Sequence, residues 1–185
     1  MKNPASGYVL QSVYSTRLHF EGLPISEDLP QGDETQITIG WDWRIVAEHC
    51  FEVLVTLGIG PTKKRPEKVE AVMIGRFHFV GDKQSLGLLR FVSAGAPTIL
   101  FPFVREAVSS LTSRGVAGSF QLNPVNMAEL AKGFNQAGTT AARQLRENPG
   151  LADVFGNAEV LTLLPPALAA PAPQLVEAKT AAPDT

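Results

Sequence analysis

Apolar and polar side chains alternate through much of the first half of the chain, and this pattern limits the possible folds most strongly. In residues 36–45, QITIGWDWRI, every odd position is apolar. These side chains are Ile37, Ile39, Trp41, Trp43 and Ile45. A period of two residues is typical of a β-strand with one apolar and one solvated face. We therefore predict a strand whose odd-numbered side chains face a core.

Three further segments of the first half also predict strands. Residues 8–20 alternate more loosely, and residues 51–59, FEVLVTLGI, place apolar side chains on one face. Residues 69–80, VEAVMIGRFHFV, are apolar on both faces, which predicts a strand covered on both sides. Because no helical segment separates the four strands, we expect an antiparallel sheet. On one face of the first strand we place Tyr8, Leu10, Tyr14, Leu18 and Phe20.

The second half of the chain changes to a helical period. Between about residues 97 and 113, apolar side chains recur every three or four positions and form one stripe. Gly115 is placed to end this helix in a left-handed conformation. Asn126, followed by Glu129, is placed to cap a second helix that runs toward Glu147. The predicted fold is an α+β domain in which a four-stranded antiparallel sheet packs with two main helices.

The composition favours one domain of ordinary size and argues against several kinds of partner. The chain has 185 residues and a net charge of −2, so it lacks the basic surplus of nucleic-acid-binding proteins. Its single cysteine, Cys50, favours a reducing, cytoplasmic location. We find no signal peptide and no apolar segment of the roughly 18 residues that a membrane span needs. We predict one domain over residues 1–150 and an Ala/Pro-rich, largely disordered tail over residues 151–185.

No group of residues in the sequence predicts catalysis, a cofactor or a metal. His19, His49 and His78 are far apart in sequence, and a metal site would require them to converge with carboxylates. Cys50 directly follows His49, so in a strand the two side chains point to opposite faces and cannot form a nucleophilic pair. We therefore expect a binding protein rather than an enzyme.

Two other features each allow two interpretations. Trp41 and Trp43 are either core residues or anchors of a binding surface. Basic residues in the turn between the third and fourth strands predict either a solvated hairpin tip or a contact surface for an acidic partner. These basic residues are Lys63, Lys64, Arg65 and Lys68.

Several longer motifs resemble one known family. YVLQSVYSTRLHFEGLP looks like its opening strand, and FEVLVTL looks like its third. The most specific stretches are APTILFPFVREAVSSLTSRG and FQLNPVNMAEL. They contain a Leu-Phe-Pro-aromatic-x-Arg-Glu core, a Ser-Arg-Gly stop and a Pro-Val-Asn connection, in the family's order and spacing. Over roughly residues 8–134 the chain resembles SecB, the bacterial protein-export chaperone family.

The resemblance implies a function that needs no chemistry. The family binds unfolded preproteins without ATP, keeps them competent for export and delivers them to SecA, the motor ATPase of the translocase. Its members bind these clients in apolar grooves between the sheet and the helices. The matching groove positions in this sequence are Ile37, Ile39, Trp41, Leu130 and Phe134.

The resemblance also implies a homotetramer, built as a dimer of dimers with helices between outer sheets. The apolar stripe of the first helix would then lie between subunits, since one protomer offers too little surface to bury it. The interface residues predicted in this way are Leu100, Val104, Val108 and Leu111.

The surface that docks the motor ATPase matches the family only in part. Glu21 and Glu70 correspond to two of its acidic positions, whereas Arg17 stands where a further acid is expected. Two other hypotheses stay open beside general export. One is a dedicated chaperone of the same fold that serves a single partner, such as a toxin–antitoxin system. The other is a small-ligand-binding protein or an enzyme that uses the same groove.

Overall fold

Four antiparallel strands form one sheet. The computed structural model describes residues 7–24, 29–30, 35–80, 87–135 and 138–151. The strands are β1 (Gly7–Gly22), β2 (Ile37–Ala47), β3 (Cys50–Ile59) and β4 (Glu67–Val80). Their order across the sheet is β1-β4-β3-β2, so β1 and β2 lie at the two edges. With helices packed on one side of this sheet, the predicted α+β fold is confirmed.

The helix-facing side of the sheet carries the core. Trp43 of β2 lies opposite Val53 of β3, and Phe51 lies opposite Phe77 of β4. All of these side chains are at most 1% exposed. The predicted alternation in β2 and β3 is confirmed, because their odd-numbered residues share this side of the sheet.

Strand β1 departs from simple alternation. Its register against β4 shifts between Leu10 and Ser12 and again between Ser15 and Arg17. A bulge inserts a residue and so reverses which face the following side chains occupy. Tyr14 consequently points away from the helices and donates a hydrogen bond to Glu52 at 2.8 Å. The prediction that Tyr14 shares a face with Tyr8 is therefore wrong.

One long helix, α1 (Leu88–Thr112), crosses the inner side of the sheet. It contains a π-helical turn, Phe91–Gly95, ahead of its main α-helical part, Ala96–Thr112. It approaches β4 closely at Gly75, where an added Cβ would lie 2.5 Å from a methyl of Leu100. The helix begins at Leu88, ahead of the start predicted near residue 97. The sequence before residue 97 allows a short irregular helix, and in the structure its described part continues directly into the main helix.

By length and composition alone, α1 is also long and apolar enough to cross a membrane, contrary to the prediction from sequence. However, 39% of its most apolar 18-residue window is buried within the protein. The buried residues face the sheet, as in a core helix.

The end of α1 differs from the prediction in its backbone conformation. The left-handed glycine of this region is Gly118, with a φ of 72°, and not Gly115. At Gly115 an added Cβ would lie 2.7 Å from Glu67 Oε1 and 2.9 Å from the Phe20 ring. Glycine is therefore needed at position 115 for close packing rather than for a left-handed turn.

Among the described residues up to position 147, two short helices follow instead of the single one predicted. Helix α2 (Met127–Leu130) begins at Asn126, whose side chain accepts from the amides of Ala128 and Glu129, which confirms the predicted cap. A 3-10 turn follows at Ala131–Gly133. The chain becomes extended at Phe134, and α3 (Thr140–Glu147) begins after its own cap, Thr139. The predicted tail, residues 151–185, lies outside the described residues from position 152 onward.

Candidate functional site

The inner face of edge strand β2 is buried at one end and open at the other. Trp43 is 1% exposed, whereas Ile37 is 44% exposed. Between them, Ile39 and Trp41 are half-buried and pack against the core. This gradient leaves an apolar surface beside the sheet edge, which could contact the apolar side chains of another polypeptide.

The Trp41 indole lies beneath the segment that follows α2. Its ring stacks on Phe134 with 5.0 Å between ring centroids and 17° between planes. The Trp41 Nε1 atom is buried and has no hydrogen-bond partner among the described residues. A buried N–H without a partner is costly, so this donor would gain from an acceptor such as a peptide carbonyl. Leu130, on α2, is 42% exposed.

The five predicted groove residues therefore differ in burial and in the contacts that they make. The structure brings Trp41 and Phe134 into contact and leaves Ile37 and Leu130 exposed. Ile39 lies between Ile37 and Trp41 on the same face of β2. A groove role for these residues stays a prediction.

The other end of β2 is covered by α3. The Gln144 side chain accepts from Ile45 N at 2.9 Å and donates to Ile45 O at 3.0 Å. Asp42 accepts from Thr140 N at 2.9 Å, which holds the first turn of α3. Sequence reasoning missed these contacts, because they join residues 98 and 99 positions apart.

A buried carboxylate organises the outer face of the sheet. Glu52 of β3 is 2% exposed and accepts from Arg44 Nη2 at 2.6 Å, Arg76 Nη2 at 2.7 Å and Tyr14 Oη at 2.8 Å. Burial raises the pKa of Glu52, but the bonds from Arg76, Arg44 and Tyr14 outweigh it and hold that pKa below its ordinary value. Burial and the Glu52 contact raise the pKa of Tyr14.

Opposite charges are mixed at the predicted motor-docking site. Arg17 Nη1 contacts Glu70 Oε1 at 2.9 Å, and His19 Nε2 lies 3.4 Å from Glu21 Oε2. In the β1–β4 register, Glu21 faces Lys68. The two predicted acids thus share the outer face, but each has a basic residue beside it.

The predicted subunit interface lies mainly inside the protomer. Leu100, Val104 and Val108 are each 0% exposed in a single chain, and Leu111 is half-buried. The premise that one protomer cannot cover this stripe is wrong, because the sheet buries it. The first three side chains cannot contact another subunit in this conformation.

The basic hairpin is not entirely solvated. Arg65 donates to the carbonyl oxygens of Gly118 and Ala117, at 3.0 and 3.2 Å, and lies over the Phe120 ring. Glu67, which is 1% exposed, accepts from Ala117 N at 3.0 Å. Arg65 and Glu67 therefore hold the loop that leads from α1 to α2.

Within the described part of the chain, no three His, Cys, Asp or Glu residues form a group that could hold a metal ion. The rings of His49 and His78 lie 6.2 Å apart beside the β2–β3 turn. Burial raises the pKa of the Cys50 thiol, so Cys50 is not activated as a nucleophile.

Comparisons with known proteins agree with this architecture. A family model described as preprotein translocase subunit SecB matches residues 2–137. The protein-export protein SecB of Stenotrophomonas maltophilia is 33% identical over 124 residues, covering 65% of this chain and 68% of that protein.

One solved structure is similar in fold. A SecB-like chaperone of Mycobacterium tuberculosis, solved with a ChAD peptide from an antitoxin, has a TM-score of 0.51 at 12% identity, over 64% of this chain and 87% of that one. A protein of unknown function from Streptococcus agalactiae has a TM-score of 0.41 at 8% identity, over 65% and 100% of the two chains. Together, the family match and the curated relative establish that this chain belongs to the SecB family of protein-export chaperones.

Proposed function

We propose that this protein is an ATP-independent, cytoplasmic holdase that binds unfolded preproteins, keeps them competent for export and delivers them to SecA. The observation that carries the proposal is the partly open apolar face of β2, where Ile37 is 44% exposed and Trp41 stacks on Phe134. A folded client hides its apolar side chains, whereas an unfolded one can place them on this face. Slow-folding chains are therefore captured preferentially.

Phe134 occupies the place that a client's aromatic side chain would take over Trp41. Stacking of this kind contributes roughly 0.5–1.5 kcal/mol, so a client can displace it without a large cost. The unpartnered Trp41 Nε1 then supplies one directional hydrogen bond to the client's backbone. We therefore propose that the client binds along Ile37, Ile39, Trp41 and Leu130 and displaces Phe134.

The test is the refolding of a slow-folding protein in the presence of this chaperone and without ATP. Wild type should delay refolding, and the Ile39→Ser, Trp41→Ser double variant should delay it several-fold less. Val46→Ser is the control, since Val46 is 44% exposed on the same strand but lies at its far end, where the register against β3 is interrupted. An equal delay by wild type and the double variant would exclude this face as the client site.

We also propose a homotetramer, with the contact moved to the exposed side of α1. Ile99 and Phe103 are one helical turn apart and are 38% and 39% exposed. Two such apolar side chains on an exposed helix face favour helix-to-helix contact between subunits.

A dedicated chaperone for one partner is the second candidate. Its support is the mixed charge around Glu21 and Glu70, which differs from the acidic surface that the family resemblance implies. The M. tuberculosis neighbour was solved with an antitoxin peptide. Co-purification from a lysate with mass spectrometry separates the two candidates: many envelope proteins indicate general export, and a single protein indicates a dedicated role.

A further inference from the structure

The helix α3 lies beyond the part of the chain that matches the family. The family model ends at residue 137, and α3 spans Thr140–Glu147. Three side chains of α3 are fully buried against the domain: Ala141, Ala142 and Leu145, each 0% exposed. This segment is therefore an addition that packs on the SecB-like fold at edge strand β2.

Gln144 pairs with the edge of β2 as a neighbouring strand would. Its amide accepts from Ile45 N and donates to Ile45 O, at 2.9 and 3.0 Å. A primary amide carries the same donor and acceptor as a peptide unit. In an antiparallel ladder, one residue exchanges both bonds with its partner in this way. Gln144 thus occupies the position of a residue in a fifth strand.

The phase of the β2–β3 ladder shows which other residues point to this edge. Gly60 N donates to Gln36 O at 2.9 Å, so the even positions of β2 bond to β3. Odd positions then direct their backbone groups outward, as Ile45 does toward Gln144. The outward groups of Ile37, Ile39 and Trp41 follow the same phase.

Asp42 marks the boundary of the covered edge. It accepts from Trp43 N at 2.7 Å and from Thr140 N at 2.9 Å. The edge is therefore occupied by side chains from Asp42 to Ile45, while Ile37 remains 44% exposed. Exposed strand edges pair readily with other extended chains.

We propose that α3 is an intramolecular substitute for bound client along residues 42–45 of β2. An extended apolar polypeptide pairs with the edge of β2 at residues 37–41, and displacement of α3 lengthens this pairing. A helix of eight residues is marginal on its own, so its packing and its bonds to Asp42 and Ile45 decide how often it leaves. The proposal rests on the proposed function, because it sets how much of a client the same strand can hold.

The first measurement follows hydrogen exchange at the Ile45 amide in the full chain without client. The variant is Gln144→Ala, and the control is Arg143→Ala, which alters an exposed neighbour on the same helix. We expect exchange at Ile45 to be at least about tenfold faster in Gln144→Ala and unchanged in the control. Unchanged exchange in Gln144→Ala would overturn the proposal.

The second measurement titrates reduced, carboxymethylated lactalbumin, a permanently unfolded protein. Loss of two hydrogen bonds that hold α3 should make Gln144→Ala bind it about three- to tenfold more tightly than wild type. Bound lactalbumin should also restore slow exchange at Ile45 in this variant. Thr140→Val removes the hydrogen bond from the Thr140 hydroxyl to Asp42 and so loosens α3 at its other contact. It should also bind lactalbumin more tightly, and it replaces Gln144→Ala in the test if that variant fails to fold.

Equal or weaker binding by both variants would mean that α3 is only part of the core, and the proposal would fail. A wild type that protects Ile45 but does not bind lactalbumin would contradict the proposed function instead. The two failures are therefore distinguishable.

Discussion

Glu52 is a buried charged residue that joins its own strand to three other strands of the sheet. It is almost fully buried on the outer face of the sheet, where Arg44, Arg76 and Tyr14 all donate to it. Removal of one partner from a buried ionic cluster leaves the others without compensation. Because both arginine side chains remain about half exposed, water can solvate them if the carboxylate is lost.

We predict that Glu52→Gln lowers the free energy of unfolding by about 1–3 kcal/mol at pH 7. The pKa of Glu52 is lowered in the folded state, so the stabilisation is fully present above its ordinary pKa of 4.5 and is lost as the pH falls through the folded-state pKa. Urea denaturation at pH 7 and at lower pH should therefore show that wild type and Glu52→Gln differ less in free energy of unfolding as the pH falls. A difference that does not change with pH would contradict a stabilising role of the Glu52 charge.

At the scale of the element, α1 has two faces with different functions. The face with Leu100, Val104 and Val108 is buried on the sheet, and Gly75 allows the close approach. The face with Ile99 and Phe103 is exposed in the protomer. A charge should therefore unfold the protein on one face and affect only assembly on the other.

We predict that Val108→Asp destabilises the protomer by several kcal/mol, because it buries an unpaired charge. Phe103→Asp should instead keep the far-UV circular dichroism of wild type and reduce the mass measured by light scattering. Thr98→Asp, at an exposed position on a different side of the same helix from Phe103, is the control for added charge. If Val108→Asp folds normally and loses only its assembly, the burial of this face is contradicted. A wild type that is monomeric at micromolar concentration would exclude the tetramer.

At the scale of the whole molecule, the proposed docking to a motor would depend on the outer surface of the sheet. Arg17 contacts Glu70, and Lys68 lies opposite Glu21, so the local charge is nearly balanced. Each exposed pair contributes only about 0.2–1 kcal/mol, and salt screens it. A basic partner domain would therefore bind weakly unless Glu70 is released.

We predict that Arg17→Asp strengthens binding to SecA about two- to fivefold, and that Glu70→Lys weakens it by a similar factor. Both effects should decrease at higher salt, since the charges are exposed. Arg114→Asp, an exposed change outside the sheet, is the matched control for net charge. Calorimetric titrations at two salt concentrations measure these effects, and salt-insensitive binding would show that this surface is not the docking site.

The sequence by itself determined the sheet, the main helix and the family. The alternation in β2 and β3 was sufficient because burial on one face of a strand repeats every second residue. Asn126 identified the start of α2, since a cap depends only on amides two and three residues away. The apolar positions of the candidate groove followed from the same local patterns together with the family motifs.

Only the tertiary structure decided which of these residues meet. The bulges that turn Tyr14 toward Glu52 depend on pairing with β4, and the burial of Val108 depends on the sheet beneath it. The cover that α3 places on Ile45 joins positions 99 residues apart. Such contacts leave no periodic signal along the chain, because their energy depends on the distance between elements in space and not on spacing in sequence.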